Sequence, residues 1–290
     1  MDAADRGVEV RLLMDAFGSR KRDEDEIERL RAHGVRIATY RPLGLRDAHA
    51  QNYRDHRKIA VVDGRVAHVM GHGFADEWSG HGQDAEHWRD AAVRIEGPAV
   101  ARLQSLFAEN WMESSGEGFT APHALGAPTR AGAAAIQVAA SASGDRLSNV
   151  ALLMEGGIRA ARSSLDVEMA YFAPSRRLLD ALTAAAERGV RVRILLPGEV
   201  TDSPPVQRAG RTHYGTLLRS GARIFEHQKT MLHQKALTVD RAWSHVGSTN
   251  LDLRSLEMSD EVSLGIHDAG VALELERGFE RDLRDAREIT

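Results

Sequence analysis

The sequence predicts an α/β protein of two homologous lobes, each a mixed β-sheet flanked by helices, and three observations carry that prediction. Similar blocks recur in the same order in the two halves of the chain. Within each half, strand-like runs alternate with helical ones. A hydrophobic share of 42% against 28% charged over 290 residues is enough for a sizeable core. The same balance, broken by 26 Gly and 8 Pro, excludes a disordered chain, a collagen-like repeat and a coiled coil.

Along the chain, DRGVEVRLLMD (5–15) is matched by ERGVRVRILLP (187–197), each an Arg-Gly turn leading into a strand. IERLRAHGVRIATY (27–40) and YGTLLRSGARIFEH (214–227) each read as a short helix stopped by glycine and followed by a strand. HRKIAVVDGRVAHVMG, from His56, then matches HQKALTVDRAWSHVGS, from His233. Between the halves, the small residues and prolines of ESSGEGFTAPHALGAPTRAGAAA break both the helical and the strand periods. The expected organisation is a first lobe over 1–112, a linker over 113–136 and a second lobe over 137–290. The second half has about fifty residues ahead of its ERGV block and the first only four. The first lobe is therefore expected to be truncated at its N-terminus, without an opening strand and helix, leaving an open sheet edge.

A net charge of −4 supplies no basic field for a polyanion, so nucleic acid is an unlikely partner, although a local basic pocket is compatible with it. Without cysteine there is neither a disulfide framework nor a thiolate metal site. Acids and bases run through the first thirty residues, which fits neither a signal nor a transit peptide, and no run approaches the roughly 18 apolar residues of a membrane span. Any membrane contact is expected to be peripheral.

The chemistry resides in His56-x-Lys58-x4-Asp63 and its copy His233-x-Lys235-x4-Asp240. With 13 His, 4 Lys and 21 Asp, the pattern is expected about 0.013 times by chance, yet it occurs twice and uses half the lysines. Keeping Lys at these places in a chain with 34 Arg points to a need for a compact point charge. Residues i and i+2 of a strand share a face, which stands each imidazole beside an ammonium group. Asp63 and Asp240 fall at turns and read as turn and ion-pair supports. A lysine beside each histidine repels a divalent cation, so no metal and no cofactor are expected. Two imidazoles converging with two lysines suit phosphodiester chemistry, one attacking phosphorus and the other protonating the leaving oxygen. Ser248 and Asn250, ahead of helix-like LDLRSLEM, are candidate donors to the non-bridging oxygens. Glu261, opening strand-like EVSLGIH, is a candidate partner for the second nitrogen of the attacking imidazole, and Asp90 in WRDAAVRIEG holds the analogous place in the first half.

These two HxKxxxxD motifs resemble those of the phospholipase D superfamily, in which each is typically followed by Gly-Gly or Gly-Ser-x-Asn. NYRDHRKIAVVDGRVAH, WRDAAVRIEGPAV, AYFAPSRRLLDALTAAAERGVRVRILLPGEVTD and MLHQKALTVDRAWSHVGSTNLDLRSLEMSDE are similar to bacterial cardiolipin synthases, especially those lacking transmembrane helices. The resemblance implies one active site at the lobe interface, a phosphohistidine intermediate and no metal cofactor. It implies a catalytic set of His56, Lys58, Asp63, His233, Lys235, Asp240, Asp90 and Glu261, with His56 as nucleophile and His233 as general acid, and substrate contacts at Gly71, Ser248 and Asn250. A cardiolipin synthase passes a phosphatidyl group from one phosphatidylglycerol to a second and releases glycerol. The implied partner is thus anionic phospholipid at a membrane surface, and the implied location is cytoplasmic, peripheral on the cytoplasmic membrane. Two departures stand out. Gly71-His72-Gly73-Phe74 replaces the usual Gly-Gly-x-Asn, so that Phe74 supplies no amide, and Ser259 replaces a frequent Asn. A hydrolytic phosphodiesterase, either a phospholipase D or a nuclease, and a phosphate-binding scaffold without turnover remain alternatives.

Overall fold

The computed structural model describes residues 1–44, 52–119, 129–144 and 148–290. A one-turn helix α1 (Asp2–Asp5) and a turn at Gly7 (φ 85°) lead into strand β1 (Arg11–Asp15). Helix α2 (Glu24–Ala32) begins where the Asp23 carboxylate accepts the backbone N–H groups of Asp25 and Glu26. It stops at Gly34 (φ 84°), and β2 (Arg36–Tyr40) pairs in parallel with β1. A two-residue strand β3 (Arg54–Asp55) precedes an antiparallel sheet of β4 (Ile59–Val62), β5 (Val66–Met70) and β6 (Ala92–Glu96), and α3 (Ala99–Ser115) follows.

The second lobe runs β7 (Ala135–Ser141), α4 (Asn149–Ala160), β8 (Ser164–Met169), α5 (Arg176–Glu187), β9 (Arg191–Pro197), α6 (Pro204–Arg211), α7 (Tyr214–Arg219) and β10 (Arg223–His227). It continues with β11 (Lys235–Val239), β12 (Trp243–Gly247), β13 (Ser259–His267), α8 (Ala269–Asp282) and β14 (Ala286–Ile289). Its sheet is mixed, in the order β14-β10-β9-β8-β11-β12-β13, with β8, β9 and β10 parallel. Leu165, Val167 and Met169 of β8 lie in a core with Ile194, Leu237 and the buried faces of α4 and α5.

The sequence repeat maps element onto element: β1 on β9, α2 on α7, β2 on β10, β4 on β11, β5 on β12 and β6 on β13. The turn glycines correspond too, Gly189 (φ 89°) to Gly7 and Gly221 (φ 97°) to Gly34, because a positive φ costs glycine no Cβ clash. Among the described residues no first-lobe strand fills the place β8 holds between β9 and β11. The first lobe accordingly has two small sheets, β1-β2 and β4-β5-β6, where the second has one. The exposure follows: β9 and β11 are almost wholly buried, whereas β1 and β4 are only half-buried. Regular structure enters the 113–136 interval at both ends, α3 reaching Ser115 and β7 starting at Ala135.

The lobes share a core and a strand. Ala67, Val69 and Ile95 of the three-stranded sheet and Val100, Leu103 and Leu106 of α3 pack with Val262, Leu264 and Ile266 of β13. β13 pairs with β12 along one edge. On the other edge its first two residues pair with first-lobe β3, and from Glu261 onward it pairs with β7. Asp260 ties this junction, accepting hydrogen bonds from Tyr40 Oη (2.9 Å), Asn110 Nδ2 (3.2 Å) and the backbone N–H and hydroxyl of Ser143 (2.7 Å each).

Candidate active site

Each HxK histidine is held by the backbone of the opposite lobe. His56 lies between β3 and β4 and donates its N–H to the carbonyl of Asp260 (2.9 Å). His233 lies just before β11 and donates to the carbonyl of Arg89 (2.7 Å). Each imidazole then meets the next residue along that opposite segment. His56 Nδ1 is 2.9 Å from Glu261 Oε1, and His233 Nδ1 is 2.7 Å from Asp90 Oδ2. The histidines therefore sit at the mouths of strands rather than within them. The pairing is crosswise, so neither lobe alone contains a complete imidazole–carboxylate pair.

Both carboxylates are buried, which alone would raise their pKa. Burial is outweighed only by several neighbours together, His56, Lys58 and Ser248 for Glu261 and Lys235, His233 and the backbone N–H of Ala91 for Asp90; both groups are held below the usual carboxylate range. An ionised carboxylate at Nδ1 requires that nitrogen to carry hydrogen, so the neutral ring keeps its lone pair on Nε2. His56 has 31% of its side chain exposed, but His233 only 6%. Trp78 and Trp88 (ring centroids 5.8 and 5.3 Å away) and Tyr171 (6.0 Å) close around the His233 ring. Burial, reinforced by Lys235, pushes His233 down to about 3.

The lysines converge with the histidines. Lys58 Nζ donates to the His56 carbonyl (2.8 Å), and Lys235 Nζ donates to the His233 carbonyl and lies against its ring. Burial lowers both lysines, Lys235 to about 8, and the field of Lys58 reaches both His233 and Lys235. The charges of the two lysines are thus matched by those of the two carboxylates, and Nε2 is the ring nitrogen of each imidazole that the carboxylates leave unengaged.

The other residues expected at the site are placed as follows. Asp240 (φ 51°) accepts the backbone N–H groups of Arg162, Ser163 and Ser164 at 2.7–2.9 Å and so fixes the start of β8. Asp63 takes the same left-handed conformation (φ 52°) at an exposed turn and has no side-chain partner among the described residues. Ser248 is buried, donating to Glu261 Oε2 and accepting from Val262 N (3.1 Å). Asn250 accepts from Tyr171 N (3.3 Å) and donates to Ser255 Oγ (3.4 Å). Both side chains are engaged within the protein, Ser248 bracing Glu261 and Asn250 tying the backbone of Tyr171 to Ser255. LDLRSLEM contains only one π-helical turn, Arg254–Met258, rather than a regular helix.

Gly71 stands beside Asp90, where a β-carbon would overlap the carboxylate. The registers Ala60–His68 and Leu237–His245 align Gly71 with Ser248 and Gly73 with Asn250. It is thus Gly73, not Phe74, that leaves the first lobe without the second lobe's amide. Trp78, Trp88 and Tyr171 were not found from sequence; the two tryptophans lie on a β5–β6 connection longer than its β12–β13 counterpart, a length difference that could have flagged them. Among the described residues no group of three or more His, Cys, Asp or Glu is arranged to hold a metal ion.

Two repeated α/β lobes that exchange carboxylates across one histidine–lysine site define a two-lobed phospholipase D-like protein. The family model described as "Cardiolipin synthase, PLD-like domain" matches residues 1–111 and 155–283, and the chain belongs to this family. A cardiolipin synthase of Geobacillus kaustophilus is 35% identical over 292 residues, covering 100% of this chain and 58% of that protein. Cardiolipin synthase A of Pseudomonas aeruginosa is 35% identical over 291 residues, covering 100% of this chain and 59% of that protein. The chain thus spans somewhat more than half the length of the curated relatives it matches. In fold, it is similar to the crystal structure of phosphatidylserine synthase from Haemophilus influenzae, with a TM-score of 0.68 and 15% identity, over 97% of this chain and 75% of that one.

Proposed function

We propose that the chain carries the catalytic site of a cardiolipin synthase-type phosphatidyltransferase acting on phosphatidylglycerol at a membrane surface. The observation that carries the reading is the crosswise pairing of His56 with Glu261 and of His233 with Asp90 around two lysines. Membership of the family and the cardiolipin synthases it resembles point to the lipid substrate.

In this mechanism a phosphatidylglycerol phosphodiester lies between Lys58 and Lys235, which offset the charge of its non-bridging oxygens. Nε2 of His56, the more exposed imidazole, attacks phosphorus. The bond from phosphorus to the glycerol oxygen breaks, and His233 Nε2–H gives that oxygen its proton, releasing glycerol. Neutral His233 then takes the proton from a hydroxyl of a second phosphatidylglycerol. That oxygen attacks phosphorus, the P–N bond breaks, and cardiolipin leaves with His56 regenerated. His233 must be protonated for the first step. The anionic diester adds negative charge beside the ring, which raises the pKa of His233 for that step.

Incubating the protein with phosphatidylglycerol vesicles in EDTA, with mass spectrometry of the products, tests the reading. Cardiolipin and glycerol are expected, with turnover abolished in His56→Ala and in His233→Ala. Phosphatidic acid without cardiolipin would make water the acceptor, and normal turnover in either variant would overturn the shared-site mechanism.

A further inference from the structure

Among the described residues, three of the large apolar side chains left exposed lie on segments that build the catalytic site: Phe17 (44% exposed), Leu253 (54%) and Phe74 (81%). Asp15 anchors the first of these segments. Its Oδ1 accepts from the backbone of Phe17 (2.9 Å) and Gly18 (2.8 Å), while its Oδ2 accepts from Asp55 N (3.1 Å), the residue before His56. Leu253 follows Asp252, which lies close enough to His56 and Glu261 to feel their charge, and precedes Ser255, the hydrogen-bond partner of Asn250. Phe74 follows Gly73, which packs beside Trp78 of the His233 wall.

Cations accompany this apolar rim. Phe17 sits between the guanidinium groups of Arg20 and Arg254, 4.8 and 5.7 Å from its ring centre. Among the described residues Arg20, Lys21 and Arg254 have no carboxylate partner. Of the acids in the same stretch, Glu24 pairs with Arg22 (2.8 Å), Asp23 caps α2 and Glu26 pairs with Arg29. Unpaired cations thus stand beside exposed apolar side chains on segments that build the site. Aromatic and aliphatic side chains interspersed with basic ones match the boundary between acyl chains and anionic headgroups.

We infer that Phe17, Phe74 and Leu253, with Arg20, Lys21 and Arg254, form the surface by which the protein docks on an anionic bilayer, with the His56 side of the cleft turned to the lipid. This deepens the phosphatidyltransferase reading and rests on it for the choice of a lipid surface as the partner. The apolar side chains insert at headgroup depth, the three cations neutralise lipid phosphates, and a headgroup reaches the imidazoles without leaving the membrane.

Flotation with phosphatidylcholine vesicles, with and without phosphatidylglycerol, tests the inference on the full chain, on Arg20→Glu/Lys21→Glu/Arg254→Glu, on Phe17→Ser/Phe74→Ser/Leu253→Ser, and on Leu273→Ser/Arg277→Ser as a distant control. The full chain and the control are expected to bind only vesicles containing phosphatidylglycerol, less so as salt rises, and each rim variant to bind about tenfold or more weakly with an unchanged melting midpoint. His56→Ala, with the rim intact, is expected to bind like the parent, so that docking is read apart from chemistry. Rim-dependent binding without lipid turnover would leave docking standing and remove the transferase reading. Rim variants that bind like the parent, or a control that weakens as much as they do, would overturn the inference. A rim variant that melts early is replaced by the salt titration of the parent, where binding indifferent to ionic strength would equally overturn it.

Discussion

The Glu261 and Asp90 carboxylates fix which imidazole nitrogen carries hydrogen, and this is a matter of charge as much as of hydrogen bonding. Glu261→Gln and Asp90→Asn keep the side-chain size but can donate to Nδ1 and so stabilise the wrong tautomer. Each is expected to lower turnover by about 10²–10⁴-fold with little loss of folding, measured as kcat on phosphatidylglycerol vesicles alongside thermal melting. His233 gives a separate test. Burial and Lys235 hold its pKa at about 3, below the ordinary 6.5. A bound oxyanion such as vanadate adds negative charge beside the ring, so the His233 resonance followed by NMR should titrate at higher pH when vanadate is bound. No upward movement would remove it as the proton donor. The same group affects stability with a definite sign. Between pH 6.5 and about 3 the unfolded His233 binds a proton that the folded one does not, so stability is present above that window and is lost as pH falls through it. The depressed Asp90 and Glu261 act in the same direction at lower pH. Chemical denaturation at several pH values in that range should show the decline.

At the scale of elements, β13 does two things with one strand. Glu261 sits where its partner changes from β3 to β7, and Val262, Leu264 and Ile266 anchor the shared core immediately beyond. Leu264 is fully buried, and Leu264→Ala should cost about 2–5 kcal/mol in urea unfolding, with activity falling as the lobes loosen. Gly71→Ala places a methyl group against Asp90 and should impair activity more than stability, since the carboxylate can move at the expense of its bond to His233. The strand–helix order and the two HxK motifs were legible in the sequence because duplication exposes them: β1-β2, β4-β5 and the turn glycines Gly7 and Gly34 each have a copy in the second half. The cross-lobe partners were less legible. The opening of EVSLGIH points to Glu261 as the partner of the attacking imidazole and the repeat points to Asp90, but that each carboxylate reaches across to the other lobe depends on β3 pairing with β13 and on Arg89 lying beside Leu232, contacts between segments far apart in the chain. In the sequence, Ser248 and Asn250 read as donors toward substrate. Their engagement with Glu261, Tyr171 and Ser255 follows from burial that no local pattern reports.

For the whole molecule, the site exists only when both lobes are present in one arrangement, because each supplies the carboxylate that orients the other's histidine. Aromatic closure is one-sided: the longer first-lobe connection brings Trp78 and Trp88 over His233 and leaves His56 open, which matches an attacking imidazole on the accessible side and a proton-transferring one in the closed wall. The most direct measurement is to quench phosphatidylglycerol turnover in alkaline denaturant and map the phosphatidyl–histidine adduct by peptide mass spectrometry. The adduct is expected on the peptide containing His56, accumulating when the acceptor hydroxyl is limiting and absent from His56→Ala. An adduct on His233 would reverse the two roles, and sustained cardiolipin formation with no adduct on either histidine would contradict the covalent mechanism itself.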